Sequence, residues 1–280
     1  MARHRNERWS ERGMRFVLYG ILIVAAIYYL LPVYVLLVTG LKSSNQVNLA
    51  DMWVPPTSLN FGSFAEAWNR LLPNFTNSVL IAVPAALISS MIGSLNGYVL
   101  AKWKFRGADL LFTLILFGMF IPYQAILIPL VQLTRFLHVY GTIPGLVLVH
   151  IVYGIPITTL IFRNFYAGIP TELIEASRID GAGFAKIYRY VLFPLSVSGF
   201  VVVLIWQFTS AWNDFLFAVT LSSQSTWPVT VALNNLAGSF IVEWNVQMAG
   251  ALIAALPTLI VFIFLGRYFV RGLLAGSLKG

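Results

Sequence analysis

The sequence contains no cysteine and few charged residues. Among its 280 residues, charged side chains account for only 10%, whereas hydrophobic side chains account for 59%. The lack of cysteine excludes disulfides, iron–sulfur clusters, thiol catalysis and zinc sites with cysteine ligands. An ordinary soluble domain carries about 25% charged residues. The scarcity of charge therefore argues against a soluble protein and indicates an integral membrane protein.

The sequence also lacks the motifs of the common enzyme classes. It has no G-x-x-x-x-G-K phosphate loop, no H-E-x-x-H zinc motif and no G-x-S-x-G nucleophile elbow, and its three histidines are scattered. We therefore predict no catalytic residue, no metal site and no cofactor bound by this chain. Ionisable groups are also rare within the apolar runs, which disfavours ion-coupled transport, because proton and cation relays need such groups near the bilayer midplane.

Six long runs without charge are candidates for membrane-spanning helices. A span needs roughly 20 apolar residues to cross a hydrocarbon core about 30 Å thick. Helices are expected, because the runs do not alternate as barrel strands do. A seventh charge-free run, 215–242, is excluded because polar residues and Pro228 interrupt its centre. The six predicted spans lie within 16–39, 77–101, 110–134, 136–162 (starting near Ile143), 190–213 and 244–266.

The distribution of Lys and Arg sets the predicted orientation. With six spans and the N-terminus inside, 15 basic residues fall on the cytoplasmic side and only Lys42, Arg70 and Arg135 fall outside. Both termini are therefore predicted to be cytoplasmic, and the net charge of +8 reflects topology rather than nucleic acid binding. The predicted organisation is a basic N-terminus (1–15), a first span (16–39), a periplasmic loop (40–76), a core of five helices (77–270) that includes a cytoplasmic loop (163–194), and a cytoplasmic tail (271–280).

The cytoplasmic loop 163–194 is predicted to contain a short helix. Pro170 suits a first helical turn, Glu172 is favoured there by the helix dipole, and Gly181 suits a left-handed cap. Glu175 and Arg178 have the spacing of a helical ion pair. On these local features alone, an interfacial helix that anchors in lipid headgroups is the favoured interpretation. The residues predicted to lie along one side are Leu173, Ala176, Ser177 and Asp180.

The spacing within this loop resembles the EAA loop of binding-protein-dependent ABC importer permeases. The family pattern is E-A-A, three residues, G, nine residues and I-x-L-P. This chain keeps every spacing, with Ser177, Val191 and Phe193 as mild replacements; the matching residues are Glu175-Ala176-Ser177, Gly181 and Val191-Leu192-Phe193-Pro194. The chain is also similar to the carbohydrate-uptake branch, and within it to the maltose-type second permease, at Asp180-Gly181-Ala182, Ala211-Trp212-Asn213-Asp214-Phe215 and the tail from Gly272 to Gly280.

The resemblance implies an all-α integral membrane protein with six transmembrane helices and the type I importer permease fold, located in a bacterial or archaeal cytoplasmic (inner) membrane. It implies a pore shared with a homologous second permease, a periplasmic or lipid-anchored sugar-binding protein, and two ATPase subunits that bind ATP and Mg. The implied coupling residues are Glu172, Glu175, Ala176, Ser177, Arg178, Asp180 and Gly181. The implied tail contacts with the ATPases are Ser277, Leu278, Lys279 and Gly280.

Polar and aromatic residues near the end of the fifth span are candidates for the substrate path. Sugar sites combine apolar aromatic faces with a few placed polar groups, and this segment offers Trp206, Gln207, Asn213 and Asp214. The alternative is hydrogen bonding between helices, which is also the favoured interpretation for His150. Ser89, Gly93 and Gly97 are interpreted as a close-packing face.

The alternatives for function are a permease of the same fold with another cargo, or an ion-coupled secondary transporter or facilitator that acts alone. A polyol, glycerol-phosphate or a compatible solute would be the other cargo. The absence of positive charge within the spans argues against phosphorylated cargo.

Overall fold

The computed structural model describes residues 2–103, 105–238 and 242–277, with side chains in 13–103, 105–238 and 242–268. These residues form helices and connecting turns without any β-strand, which confirms the all-α prediction. Four continuous helices in this part of the chain are long and apolar enough to cross a membrane, and two bent helix pairs bring the number to as many as six. The predicted count of six spans agrees with this architecture.

The second helix is much longer than the span predicted for it. It covers 41 residues, and at 1.5 Å per residue it is about 60 Å long, roughly twice the hydrocarbon thickness. It therefore includes residues 62–76, which we had assigned to the outer loop. The helices of the described chain are α1 (Ala2–Gly40), α2 (Gly62–Lys102), α3 (Ala108–Phe117), α4 (Leu127–Phe136), α5 (Ile143–Ala167), α6 (Thr171–Ile179), α7 (Phe184–Ile187), α8 (Phe193–Leu195), α9 (Val197–Asn213), α10 (Leu216–Leu221), α11 (Val229–Ala237) and α12 (Trp244–Ser277).

The third predicted span, 110–134, corresponds to a bent pair of helices rather than to one straight helix. Its two halves, Ala108–Phe120 and Tyr123–Phe136, meet at 89°. Pro122 lies at the break, and Ile121 before it has an extended backbone with ψ of 118°. Proline lacks the N–H that a helix needs and disfavours helical geometry in the residue before it. The break thus has a local cause in the sequence.

The fifth predicted span is also bent. Phe184–Leu195, which includes a π-helical turn at Tyr188–Leu192, meets Val197–Asn213 at 78°. Ser196, fully buried, lies at the bend, and its hydroxyl donates to the carbonyl oxygen of Phe193 at 3.0 Å. The excluded run that follows is not one span in its described part: the short helices α10 and α11 lie on either side of a 3-10 turn at Gln224–Thr226.

The chain divides into two compact units, of which the first comprises Met1–Arg70 and Leu236–Ile253. Within it, the buried Asn245 donates through Nδ2 to the carbonyl oxygen of Lys42 at 3.3 Å and to Ser63 Oγ at 2.9 Å. Arg70 forms ion pairs with Glu66 and with Glu243, the latter at 2.7 Å. These contacts tie the start of α12 to the start of α2 and to the outer segment that precedes it.

The second unit comprises Leu71–Asn235 and Ala254–Gly280. Its centre is a contact between the backbones of α2 and α5. A Cβ atom on Gly93 would lie 2.8 Å from the backbone carbon of Thr158, and one on Gly97 would lie 2.7 Å from the backbone nitrogen of Arg163. Ser89 joins the same contact, because its carbonyl oxygen accepts a hydrogen bond from Thr158 Oγ1 at 3.1 Å. The predicted close-packing face is confirmed.

A cluster of buried apolar side chains at one end of the second unit positions α6. It combines residues of α2, α5 and the bent pair with a single residue of α6, Ile174. A hydroxyl network borders this cluster: Ser94 Oγ lies 2.6 Å from the Tyr166 hydroxyl and 2.9 Å from the Tyr188 hydroxyl. The cluster consists of Tyr98, Phe162, Tyr166, Ile174, Ile187, Leu192, Phe200 and Val203.

Candidate functional site

The predicted loop helix is present as α6. It begins at Thr171, one residue later than predicted, because Pro170 keeps an extended ψ of 134° and lies just before the helix rather than in its first turn. Glu172 does lie in the first turn, where the partial positive charge of the helix end favours a carboxylate. The helix spans nine residues, so its fixation to the rest of the protein depends on what it packs against.

One side chain anchors α6. Ile174 is only 1% exposed and packs into the buried apolar cluster, whereas Glu172, Glu175, Ala176 and Asp180 are exposed. Sequence analysis missed Ile174, although an isoleucine in the middle of a mostly polar helix was the available signal. The helix thus presents its carboxylates outward, while Ile174 is its one buried side chain.

Gly181 ends α6 in the left-handed conformation that we predicted, with φ of +78°. The N–H of Gly181 donates to the carbonyl oxygen of Arg178 at 3.0 Å, and the N–H of Ala182 donates to that of Ser177 at 2.9 Å. This pair of hydrogen bonds is a Schellman motif, which satisfies carbonyl groups that the helix end would otherwise leave free. No heavy atom lies within 4 Å of the position that a Cβ on Gly181 would occupy. The glycine is therefore required by backbone conformation rather than by space.

The predicted pairing of Glu175 with Arg178 is wrong for the described side chains. The guanidinium carbon of Arg178 lies 4.9 Å from the centre of the Trp103 ring instead. A cation–π contact to an indole competes well with an exposed ion pair, which gains little in water. Ser177 turns its hydroxyl inward along the helix to the carbonyl oxygen of Leu173 at 2.7 Å. Glu175 is left exposed.

The C-terminal tail lies mostly beyond the described residues. Ser277 is the last residue of α12, and its backbone is helical. Leu278, Lys279 and Gly280, which we predicted to contact the ATPases, lie outside the described residues.

A second feature of the second unit is a cavity of about 590 Å³. All four residues proposed for the substrate path border it, so the structure brings them together: Trp206, Gln207, Asn213 and Asp214. Trp206 and Asn213 are exposed, while Gln207 is buried. The volume falls within the range of about 300–1,000 Å³ that small-molecule sites occupy.

Gln207 and Asp214 also have structural roles beside the cavity. Gln207 Nε2 donates to the carbonyl oxygen of His150 at 3.0 Å, and its amide fills the space above Gly154 where a Cβ would not fit. The carboxylate of Asp214 accepts hydrogen bonds from the N–H groups of Phe217 at 3.4 Å and Ala218 at 3.0 Å. Gln207 therefore forms the hydrogen bond between helices that one interpretation predicted, and both residues also border the cavity.

One pairing and two aromatic residues of this site were not predicted from the sequence. His150 Nε2 lies 3.7 Å from Asp214 Oδ2, a pairing that we did not predict although we had noted both residues. Tyr123 and Tyr153 line the cavity as well, with Tyr153 donating its hydroxyl to the carbonyl oxygen of Ile121 at 3.0 Å. The signal for Tyr123 was its position directly after Pro122, where an apolar span is interrupted.

No group of three or more His, Asp or Glu side chains that could hold a metal ion occurs in the described part of the chain. The arrangement offers a short helix with exposed carboxylates and a polar, aromatic cavity. Neither contains a nucleophile paired with a base.

The chain resembles known proteins along most of its length. Residues 93–274 match the family model described as "Binding-protein-dependent transport system inner membrane component". A probable ABC transporter permease of Pyrococcus horikoshii is 48% identical over 271 residues, covering 95% of this chain and 98% of the relative. The xylose/arabinose import permease protein of Haloferax volcanii is 34% identical over 283 residues, covering 92% of each chain.

Solved structures agree on the fold. A chain from the crystal structure of a bacterial ABC transporter involved in the import of the acidic polysaccharide alginate matches with a TM-score of 0.77 at 21% identity, covering 93% of this chain and 98% of that one. The matched family consists of membrane components that do not catalyse a reaction themselves. With its apolar helices, its EAA-type loop helix and these relatives, the chain belongs to the binding-protein-dependent transport system inner membrane component family, the permease subunits of ABC importers.

Proposed function

We propose that this protein is a permease subunit of an ATP-driven sugar importer in a bacterial or archaeal cytoplasmic membrane. It forms the translocation pore with a homologous partner permease, and α6 couples it to cytoplasmic ATPase subunits. ATP and Mg bind to those subunits and not to this chain. The observation that carries the proposal is α6 itself, whose Glu175 and Ala176 are exposed while Ile174 fixes the helix to the core.

The contacts that join α6 and its flanking residues to the rest of the second unit suit a helix that transmits force. Lys102, at the end of α2, donates through Nζ to the carbonyl oxygen of Ile169 at 2.5 Å, directly before the helix. Arg178 stacks on Trp103 of the same segment, and Ala182 packs against the apolar cluster after the helix. The helix is thus held before, within and after its length, so a push on it moves the end of α2 rather than a loose loop.

The outward face of α6 suits a cleft on another protein. Its carboxylates, Glu172, Glu175 and Asp180, would meet basic or hydrogen-bonding groups of the ATPase subunit. Ile179 at the end of the helix is 87% exposed, which gives the face an apolar contact as well. The tail from Ser277 to Gly280 would reach the same subunits.

The sugar assignment rests on the relatives and on the cavity. The Haloferax volcanii relative is a xylose/arabinose import permease by name. The cavity combines aromatic rings with amide, hydroxyl and carboxylate groups, which is the chemistry that binds polyhydroxylated molecules. A periplasmic or lipid-anchored binding protein would deliver the sugar, so the chain needs no ion site of its own.

The proposal is tested by purifying the chain with the permease, ATPase and binding protein encoded beside it, and reconstituting the complex in lipid nanodiscs. We expect ATP hydrolysis that is stimulated by the binding protein with one or more neutral sugars. Glu175→Lys should weaken stimulation because it reverses the charge of the docking face, whereas Glu175→Gln, which removes the charge but keeps the shape of the side chain, should weaken it less. Uptake that needs a proton gradient but no ATPase subunit would contradict the proposal and favour a transporter that acts alone.

A further inference from the structure

The cavity lies at the break of a membrane-spanning segment. Met119 and Tyr123, from the two sides of the break between α3 and α4, both line it. Non-helical backbone within a membrane is tolerated only where it is buried in protein or borders a water-filled cavity. At this break the carbonyl oxygen of Ile121 accepts a hydrogen bond from the hydroxyl of Tyr153, and the cavity borders the same stretch of backbone.

We propose that this chain carries its own subsite for one ring of a neutral sugar in the cavity at this break. The proposal rests on the proposed function and makes it specific: the cavity is a binding site within this subunit, not only a stretch of pore wall. Its ligand is a neutral, polyhydroxylated ring with an apolar C–H face.

One wall of the cavity is aromatic. The ring of Phe217 lies 5.1 Å from that of Tyr153 and 5.6 Å from that of Tyr123, in edge and tilted arrangements. Trp206 contributes an indole that is 51% exposed. Such rings offer flat apolar surface at a low cost in side-chain entropy, because each has only two side-chain torsions to fix. The C–H face of a sugar ring is the part of a carbohydrate that packs on such a surface.

The polar groups that could bind sugar hydroxyls come from α9 and the residue that follows it. Ser210 and Asn213 are exposed on the same helical face as Trp206, and Asp214 comes directly after Asn213. The side chain of Asp214 is only 14% exposed and is oriented by backbone N–H groups of α10. A carboxylate has about four acceptor positions, so Asp214 keeps capacity for the hydroxyl groups of a ligand.

The charge of the lining selects against anionic sugars. Its residues include one carboxylate, Asp214, and neither lysine nor arginine among the described side chains that border the cavity. His150 is the single side chain there that could become cationic, and it already faces Asp214 at 3.7 Å. The carboxylate of a uronate or the phosphate of a sugar phosphate would approach Asp214 without a compensating cation. Neutral sugars meet no such repulsion.

The test measures sugar binding to the complete permease–ATPase complex in nanodiscs, without binding protein and without ATP. The probes are radiolabelled D-glucose, D-xylose, L-arabinose, melibiose and D-glucuronate. We expect saturable binding of at least one neutral sugar and no saturable binding of D-glucuronate. Trp206→Ala should weaken neutral-sugar binding about tenfold. Trp244→Ala is the matched control, because Trp244 is 47% exposed and lies outside the cavity.

Asp214→Asn tests the charge separately. It keeps the shape of the side chain and an acceptor oxygen, and we expect it to reduce the discrimination between neutral sugar and D-glucuronate about tenfold or more. The subsite is refuted if no neutral sugar of the panel binds, if D-glucuronate binds equally well, or if Trp206→Ala binds as the Trp244→Ala control does. Sugar-stimulated ATP hydrolysis that persists in the unaltered complex would then leave the proposed function standing. Loss of that stimulation across the panel would instead refute the proposed function.

Discussion

Replacement of Gly181 by alanine tests whether the end of α6 needs a glycine for its left-handed backbone conformation rather than for lack of room for a Cβ atom. Gly181 has φ of +78°, and nothing lies within 4 Å of an added Cβ, so no steric clash contributes. A residue with a Cβ loses roughly 1–2 kcal/mol in the left-handed conformation. This shifts the balance between the capped and the frayed helix end by about five- to thirtyfold toward fraying. If the ATPase subunit binds only the capped form, its apparent affinity falls by up to that factor.

Gly183 provides the matched control. It lies two residues further along, has equally open space around it, and has φ of −79° with an extended ψ of 178°. Alanine adopts that conformation without strain and slightly restricts the unfolded chain, so Gly183→Ala should be neutral or mildly stabilising. The assay is titration of nanodisc-embedded permease with ATPase subunits, followed by sugar-stimulated ATP hydrolysis. Equal affinities for Gly181→Ala and Gly183→Ala would refute the reasoning, provided that both variants insert into the membrane in normal amounts.

Three further substitutions test the packing described above by thermal unfolding in nanodiscs. Ile174→Ala should lower the free energy of unfolding by about 2–5 kcal/mol, because Ile174 is buried. Ile179→Ala, at an exposed position, should change the free energy of unfolding by no more than about 0.5 kcal/mol. It should nevertheless weaken binding of the ATPase subunits. Equal stabilities would contradict the anchor role of Ile174. Gly93→Ala should destabilise by about 1–3 kcal/mol or more through overlap with α5, whereas Gly266→Ala, with open space around it, should not. Gln207→Leu should cost about 1 kcal/mol by removing a buried hydrogen bond, and an unchanged unfolding temperature would argue against that bond.

Local residue types were enough to predict α6 and its end. A proline, an early glutamate and a glycine specify where a short helix begins and stops, and they act through neighbouring backbone groups. The break at Pro122 was equally local, and we missed it because the apolar run around it is long enough to pass as one span. Length and hydropathy do not report whether a helix is continuous.

The partners of the polar side chains could not be read from spacing. Arg178 stacks on Trp103 and His150 faces Asp214, and in each pair the residues belong to segments far apart in the chain. Such pairs are set by how helices pack, for which the sequence offers only the small residues that permit close approach. Ile174 illustrates the same limit, because an isolated apolar residue does not reveal what covers it.

The backbone contact between α2 and α5 has a consequence for any mutational scan of this protein. At Gly93 and Gly97 even the smallest side chain would overlap backbone atoms of the facing helix. Every substitution there should score as severely as a substitution in a binding site, although neither residue borders the cavity. A mutational scan that records only loss of transport would place these glycines among the functional residues. The transport activity of each variant should therefore be normalised to the amount of folded protein before residues of the sugar path are identified.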